Sequence, residues 1–269
     1  QEVLKLAACI GNQFDLGTLA IVSEQSQIET ASYLWNALQA GLILPQSDVY
    51  KFFVGKENQT ESQEVTENVT YKFLHDRIQQ AAYCLIPEKQ KKLTHLKIGQ
   101  LLLKNTAQVD LDNCIFDIVN QLNIGIEHLH QPSERHQLAR LNLIAGKQAK
   151  TSTAYYSATS YLRTGIELLP TNPWESDYNL TLSLYNEVTE ACYLSGEFDA
   201  MEEFIEEVIQ KSRSLLEQVN VYRIRIQSNI SQNKLTEAIA TGKQVLQELD
   251  IALPEEVTNE DIQHNLIEI

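Results

Sequence analysis

Three stretches of this chain share one spacing of small and apolar residues: Tyr155, Ala158, Leu162 and Ile166; Phe198, Met201, Ile205 and Ile209; Leu235, Ala238, Gly242 and Leu246. Steps of three and four place each set on one face of a helix. The stretches begin 43 and then 37 residues apart, and each follows another amphipathic segment, over 137–152, 177–195 and 214–231. A helix with one apolar face must cover it, so a chain that repeats the helix pair buries each hairpin against its neighbours. The expected fold class is mainly α.

That pattern resembles a tetratricopeptide-like solenoid of antiparallel helical hairpins. LSGEF and SQNKL fit the bend inside a hairpin, and small residues at Ala158, Ala238 and Gly242 favour close helix approach. Two features depart from the strict repeat: the spacing exceeds the usual ~34 residues, and LLPTNPWESD lengthens the first connection. An irregular helical domain is the competing expectation.

The first ninety or so residues read differently. EVLKLAACIG, LGTLAIVSE and QIETASYLWNALQAG are short helical patterns, with Asp15 and Ser26 placed to cap the second and third and Gly41 to end the third. Strand-like runs follow, LILP, VYKFFV and VTYKFLH, the last alternating Val69, Tyr71 and Phe73 with Thr70 and Lys72. Three helices and a hairpin with a long polar tip over residues 55–68 make a winged-helix module, expected over 1–87, with the helical repeat region over 88–269. In the latter, Ile115, Val119, Leu122, Ile126 and Leu129 mark one buried helix face.

Charge excludes several functions. The net charge is −15, and residues 1–54 hold only Lys5 and Lys51 as basic groups, none of them on the third helix. Binding to a phosphate backbone or an anionic membrane depends on clustered Lys and Arg, so neither nucleic acid nor membrane is an expected partner. No apolar run approaches the length of a membrane span, and the start lacks the features of a signal peptide, so a cytoplasmic location is expected. The four cysteines lie far apart among apolar neighbours, which suits reduced core thiols rather than a zinc site. The chain opens on a helix without Met and is read as a piece of a longer polypeptide.

No catalytic set emerges. IAGKQAK and ATGKQVL lack the upstream glycine and the hydroxyl after Lys that a phosphate-binding loop requires. His128, His130 and His136 stand around Pro132, a poor arrangement for a metal, and Glu202, Glu203, Glu206 and Glu207 suggest a solvated or partner-facing surface. The remaining cluster is His75, Asp76 and Arg77 in YKFLHDRIQQAAYCLI.

The runs LKLAACIGNQFDLGTLAIV, GLILP, YKFLHDRIQQAAYCLIPEKQ, FDIVNQLN, LNLIAGKQAKTSTAY and YLRTGIELL resemble the middle of cyanobacterial multi-sensor signal-transduction multikinases. The resemblance implies a parent carrying a Ser/Thr kinase-like domain and a STAND-class P-loop ATPase before this segment, with a GAF sensor and a histidine kinase after it. ATP or ADP and Mg would belong to that parent, and none of them to this segment. Winged helices of related ATPases carry a Met-His-Asp signature whose His approaches the phosphates of bound ADP. Leu74-His75-Asp76 is similar to it, which implies a nucleotide-state contact at His75, with Asp76 capping the helix that follows. The competing reading is a histidine hydrogen-bonded inside the module's core, with Arg77 at the surface.

The expected function is a non-catalytic regulatory and protein-interaction segment that couples the ATPase to downstream sensor and kinase domains. Its partners would be proteins or neighbouring domains, and Tyr155, Tyr156, Trp174 and Tyr185 could line a binding face. A winged-helix transcriptional regulator with a repeat-type effector domain is the alternative, and an enzyme would have only His75 and Asp76 to work with.

Overall fold

The computed structural model describes residues 1–46 and 69–251. The expected strand VYKFFV and the loop 55–68 lie outside the described residues. The fold is mainly helical, and the chain divides into two compact units, Gln1–Leu141 and Asn142–Ile269.

The first unit opens with α1 (Glu2–Ile10), β1 (Gln13–Asp15), α2 (Leu16–Ser23) and α3 (Gln27–Gln39), then β2 (Ile43–Pro45) and β3 (Thr70–Phe73). The three strands form one antiparallel sheet in the order β1-β3-β2, with Phe14 opposite Tyr71 and Ile43 opposite Phe73. Alternation along β3 buries Tyr71 and Phe73 and leaves Lys72 exposed, as a one-sided sheet requires. Phe14 packs 5.9 Å from Tyr71 and 5.5 Å from Phe73, and Leu16, Leu19 and Leu34 close the core. Local chemistry fixes the helix starts. The Asp15 carboxylate accepts from the Thr18 amide at 2.7 Å, and Ser26 with Glu29 forms a reciprocal capping box on α3. At the other end of α3, Gly41 takes φ 66° and lets the Leu42 amide return to the Ala37 carbonyl.

The same unit continues through α4 (Asp76–Cys84), α5 (Glu88–Asn105) and α6 (Leu111–Ile124). These last two helices fall in the stretch the sequence assigns to the repeats, yet they belong to the first compact unit, and the division at 141 lies inside α7 (Pro132–Thr151). The face through Ile115, Val119, Leu122 and Leu129 is buried, but α6 ends at Ile124 and a single 3-10 turn carries the chain on. Pro132 starts α7, where its missing amide hydrogen costs nothing.

The second unit holds the end of α7, then α8 (Tyr155–Glu167), the short α9 (Pro173–Ser176), α10 (Tyr178–Ser195), α11 (Phe198–Lys211), α12 (Leu215–Ser231) and α13 (Leu235–Glu248). Three hairpins repeat within it, and their turns are equivalent residue for residue. Thr153, Gly196 and Asn233 each sit two positions before the second helix with φ of 60°, 81° and 60°. The next amide in each case reaches back five residues: Ala154 to Ala149 at 2.9 Å, Glu197 to Cys192 at 2.8 Å and Lys234 to Asn229 at 2.8 Å. One backbone solution therefore serves three unlike sequences, because the left-handed residue turns the chain while the returning amide satisfies a helix-end carbonyl. Ala158, Leu162, Met201, Ile205 and Ala238 from the repeated pattern are buried. The helices crowd at Gly146, where a side-chain carbon would stand 2.4 Å from Leu162 Cγ; at Gly242 it would meet Ile226 at an ordinary 3.8 Å.

Candidate functional site

β3 leads straight into the one motif the sequence singles out. The Leu74 amide donates to the Leu42 carbonyl, and His75 then stands extended, at φ −141° and ψ 146°, as the residue before α4. His75, Asp76 and Arg77 are all exposed, which removes the core-histidine reading. Asp76 is the first helical residue and not the cap, and no side chain caps this end of α4. Its carboxylate still lies in the first turn, where it opposes the positive end of the helix dipole. Among the described residues the His75 imidazole thus has no partner, beside a helix start whose amides are able to donate to an anion.

Behind that tip, α4 is tied into the unit by polar side chains that periodicity does not reveal. Gln79 donates to the Ala8 carbonyl at 2.8 Å. Tyr83 meets His95 Nε2 at 3.0 Å, His95 Nδ1 lies 2.6 Å from Gln121 Oε1, and Gln121 Nε2 donates to the Cys9 carbonyl at 3.0 Å. Because the Gln121 amide nitrogen is committed to Cys9, its oxygen faces His95 and accepts from Nδ1. His95 is 4 % exposed and Gln121 7 %. Four elements, α4, α5, α6 and the end of α1, meet through this chain of bonds. His95 and Gln121 are legible only as polar interruptions of apolar helix faces.

Other groups that could support chemistry are scattered. A polar cleft of about 370 Å³ in the first unit is lined by Asp15, Thr18, Asp117 and Asn120, among others. Burial, then the Asp15 charge, raises the Asp117 carboxyl. The lining holds no histidine, cysteine or lysine to complete an acid–base or nucleophilic set. Cys9 and Cys192 are buried, and burial pushes the Cys9 thiol up to about 11, while Cys84 is exposed rather than in the core. Among the described residues no three His, Cys, Asp or Glu side chains gather as a metal site, and no helix is long and apolar enough to cross a membrane.

In the second unit the first helices of the hairpins are joined by charge. Lys150 on α7 bonds Glu187 at 2.6 Å and also Glu190, both on α10, and Glu190 accepts from Arg223 on α12 at 3.2 Å. Burial alone would raise the Glu190 carboxyl, but Lys150 and Arg223 hold it below the usual range. Asn220 and Asn186 bond alongside. Of the aromatic candidates, Tyr156 is exposed and makes no ring contact among the described residues, whereas Trp174 and Tyr185 are half-buried in one row of rings.

No family model matches the chain, and no solved structure matches it. It is similar to hybrid signal transduction histidine kinase G of Dictyostelium discoideum, 28% identical over 254 residues, which covers 79% of this chain and 7% of that protein. The chain therefore spans a small part of the length of the curated relative it matches, and the similarity supports a signal-transduction kinase context.

Proposed function

We propose that the chain is a non-catalytic regulatory and protein-interaction segment of a larger signal-transduction kinase. Residues 1–87 act as the winged-helix module of a STAND-class ATPase, and the helical hairpins act as a tetratricopeptide-like scaffold toward downstream sensor and histidine kinase domains. The observation that carries this reading is the similarity to a histidine kinase, which extends over most of the chain yet covers 7% of the relative. Two further features favour it. The outward face of α3, where a DNA-reading module would place cations, offers Ile28, Tyr33 and Trp35 at 69%, 57% and 38% exposure, with no Lys or Arg on the helix; that surface suits protein and not a polyanion. The bonds from Gln79 and Tyr83 give α4 a rigid connection from His75 into the rest of its unit.

In this reading His75 donates to a phosphate oxygen of ADP held by a preceding ATPase domain, and loss of that bond releases the module. ATP or ADP and Mg would sit in that domain, not here, and the proposed location is cytoplasmic. The test uses the longer polypeptide that includes the ATPase. His75→Ala should speed ADP release about tenfold, the effect of one charge-assisted hydrogen bond, while thermal stability stays unchanged because His75 is exposed. Unchanged ADP retention and unchanged kinase output would remove the sensing role.

A further inference from the structure

Four rings of the second unit stand in one row. Tyr178, Trp174, Tyr185 and Phe204 follow each other with centroids 5.7, 5.1 and 5.8 Å apart. Each end ring already carries an arginine of the chain: the Arg213 guanidinium lies 3.8 Å from the centre of Tyr178, and that of Arg163 lies 5.9 Å from Phe204. The two middle rings carry no cation among the described residues. They are also the two that line an open cleft of about 390 Å³, beside the LLPTNPWESD connection.

The cleft has the other half of a cation site as well. Glu207 is fixed in place, since Trp174 Nε1 donates to its Oε1 at 3.0 Å, and its second oxygen has no partner among the described residues. Glu175 lines the same cleft and makes no ion pair among the described residues. Burial, then the Glu207 charge, raises the Tyr185 hydroxyl, in keeping with a local negative potential. Lys211 also lines the cleft but, among the described residues, neither pairs with a carboxylate nor lies over a ring. Ile166, Leu169 and Pro170 supply an apolar wall.

We propose that this cleft receives an arginine side chain of a protein partner, its guanidinium stacked on Trp174 and Tyr185 and bonded to Glu207 and Glu175. A flat, weakly hydrated guanidinium stacks on rings and donates in a fork, which a compact ammonium does not. The apolar wall covers the side-chain stem, so a peptide is favoured over a free small cation. The row's own pattern supports the choice, because both occupied rings hold arginine. The site is separate from His75 and stands whether or not a nucleotide is met there.

The chain has two tryptophans, so Trp35→Phe leaves Trp174 as the only one, read by excitation at a wavelength tyrosine does not absorb. That protein is titrated with acetyl-Gly-Leu-Arg-Leu-Gly-amide, with its citrulline counterpart and with methylguanidinium. The arginine peptide should shift Trp174 emission saturably, with binding about tenfold weaker for citrulline and for the Glu207→Gln protein, whose amide oxygen still accepts from Trp174. Glu175→Gln should weaken binding as well, with an unchanged melting profile showing that the fold is intact. Equal binding of the citrulline peptide, or no saturable change up to about 10 mM, would overturn the proposal. Methylguanidinium binding as tightly as the peptide would assign the cleft to a small cation and overturn the protein partner.

Discussion

Alanine at Gly146 would place a carbon 2.4 Å from Leu162 Cγ, where α7 and α8 meet. The expected cost is about 1–3 kcal/mol, measured by urea unfolding, whereas Gly242→Ala should be neutral because the new carbon meets Ile226 at 3.8 Å. Periodicity marks both glycines as residues on a helix, but says nothing of which approach is tight; that depends on the opposing side chain. The three hairpin turns give a paired test. Gly196→Ala puts a side chain at φ 81° and should cost about 1 kcal/mol, while Thr153→Gly relieves a β-branched residue at φ 60° and should stabilise by about 0.5–1 kcal/mol. The sequence singles out His75 because its neighbours resemble a motif. His95 and Gln121 were not legible, because their partners lie 26 and 112 residues away in sequence. Gln121→Leu strands the His95 Nδ1 proton and the Cys9 carbonyl in the interior, and should lower the urea-unfolding free energy by about 1–3 kcal/mol.

Helices and hairpins were the most readable level, since steps of three and four residues and Gly or Pro punctuation report on local backbone alone. The repeated pattern located α8, α11 and α13 and the helices before them to within a few residues. It failed where a helix stopped without losing its apolar face: Leu129 stays buried although α6 ends at Ile124. It also gave no sign of the charged links between α7, α10 and α12, whose residues look like ordinary surface. Those links predict a pH response. The Glu190 carboxyl titrates below its usual value of about 4.5 when folded, so its contribution to stability is complete above that value and disappears as pH falls through the depressed one. Comparing wild type with Glu190→Gln by urea unfolding from pH 7 to pH 3 should show a gap in favour of wild type at neutral pH that closes on acidification. A gap independent of pH would mean that the ion pairs contribute nothing.

At the scale of the whole chain, periodicity correctly favoured a mainly helical protein, because apolar residues recur at helical spacing nearly throughout. Packing partners were harder: α5 and α6 read as helices of the same kind as the repeats, but residues such as Gln121, reaching the end of α1, join them to the first unit. The sequence named Trp174 and Tyr185 for a binding face and Glu207 for a partner-facing surface, but not their meeting in one cleft, because they come from three elements. In the proposed function α4, which His75 immediately precedes, reads the nucleotide state of a preceding domain. Amide hydrogen exchange of residues 75–84 in the longer polypeptide tests it most directly. With ADP bound, exchange across 75–84 should slow, and His75→Ala should abolish the difference. Identical exchange with and without ADP would contradict it.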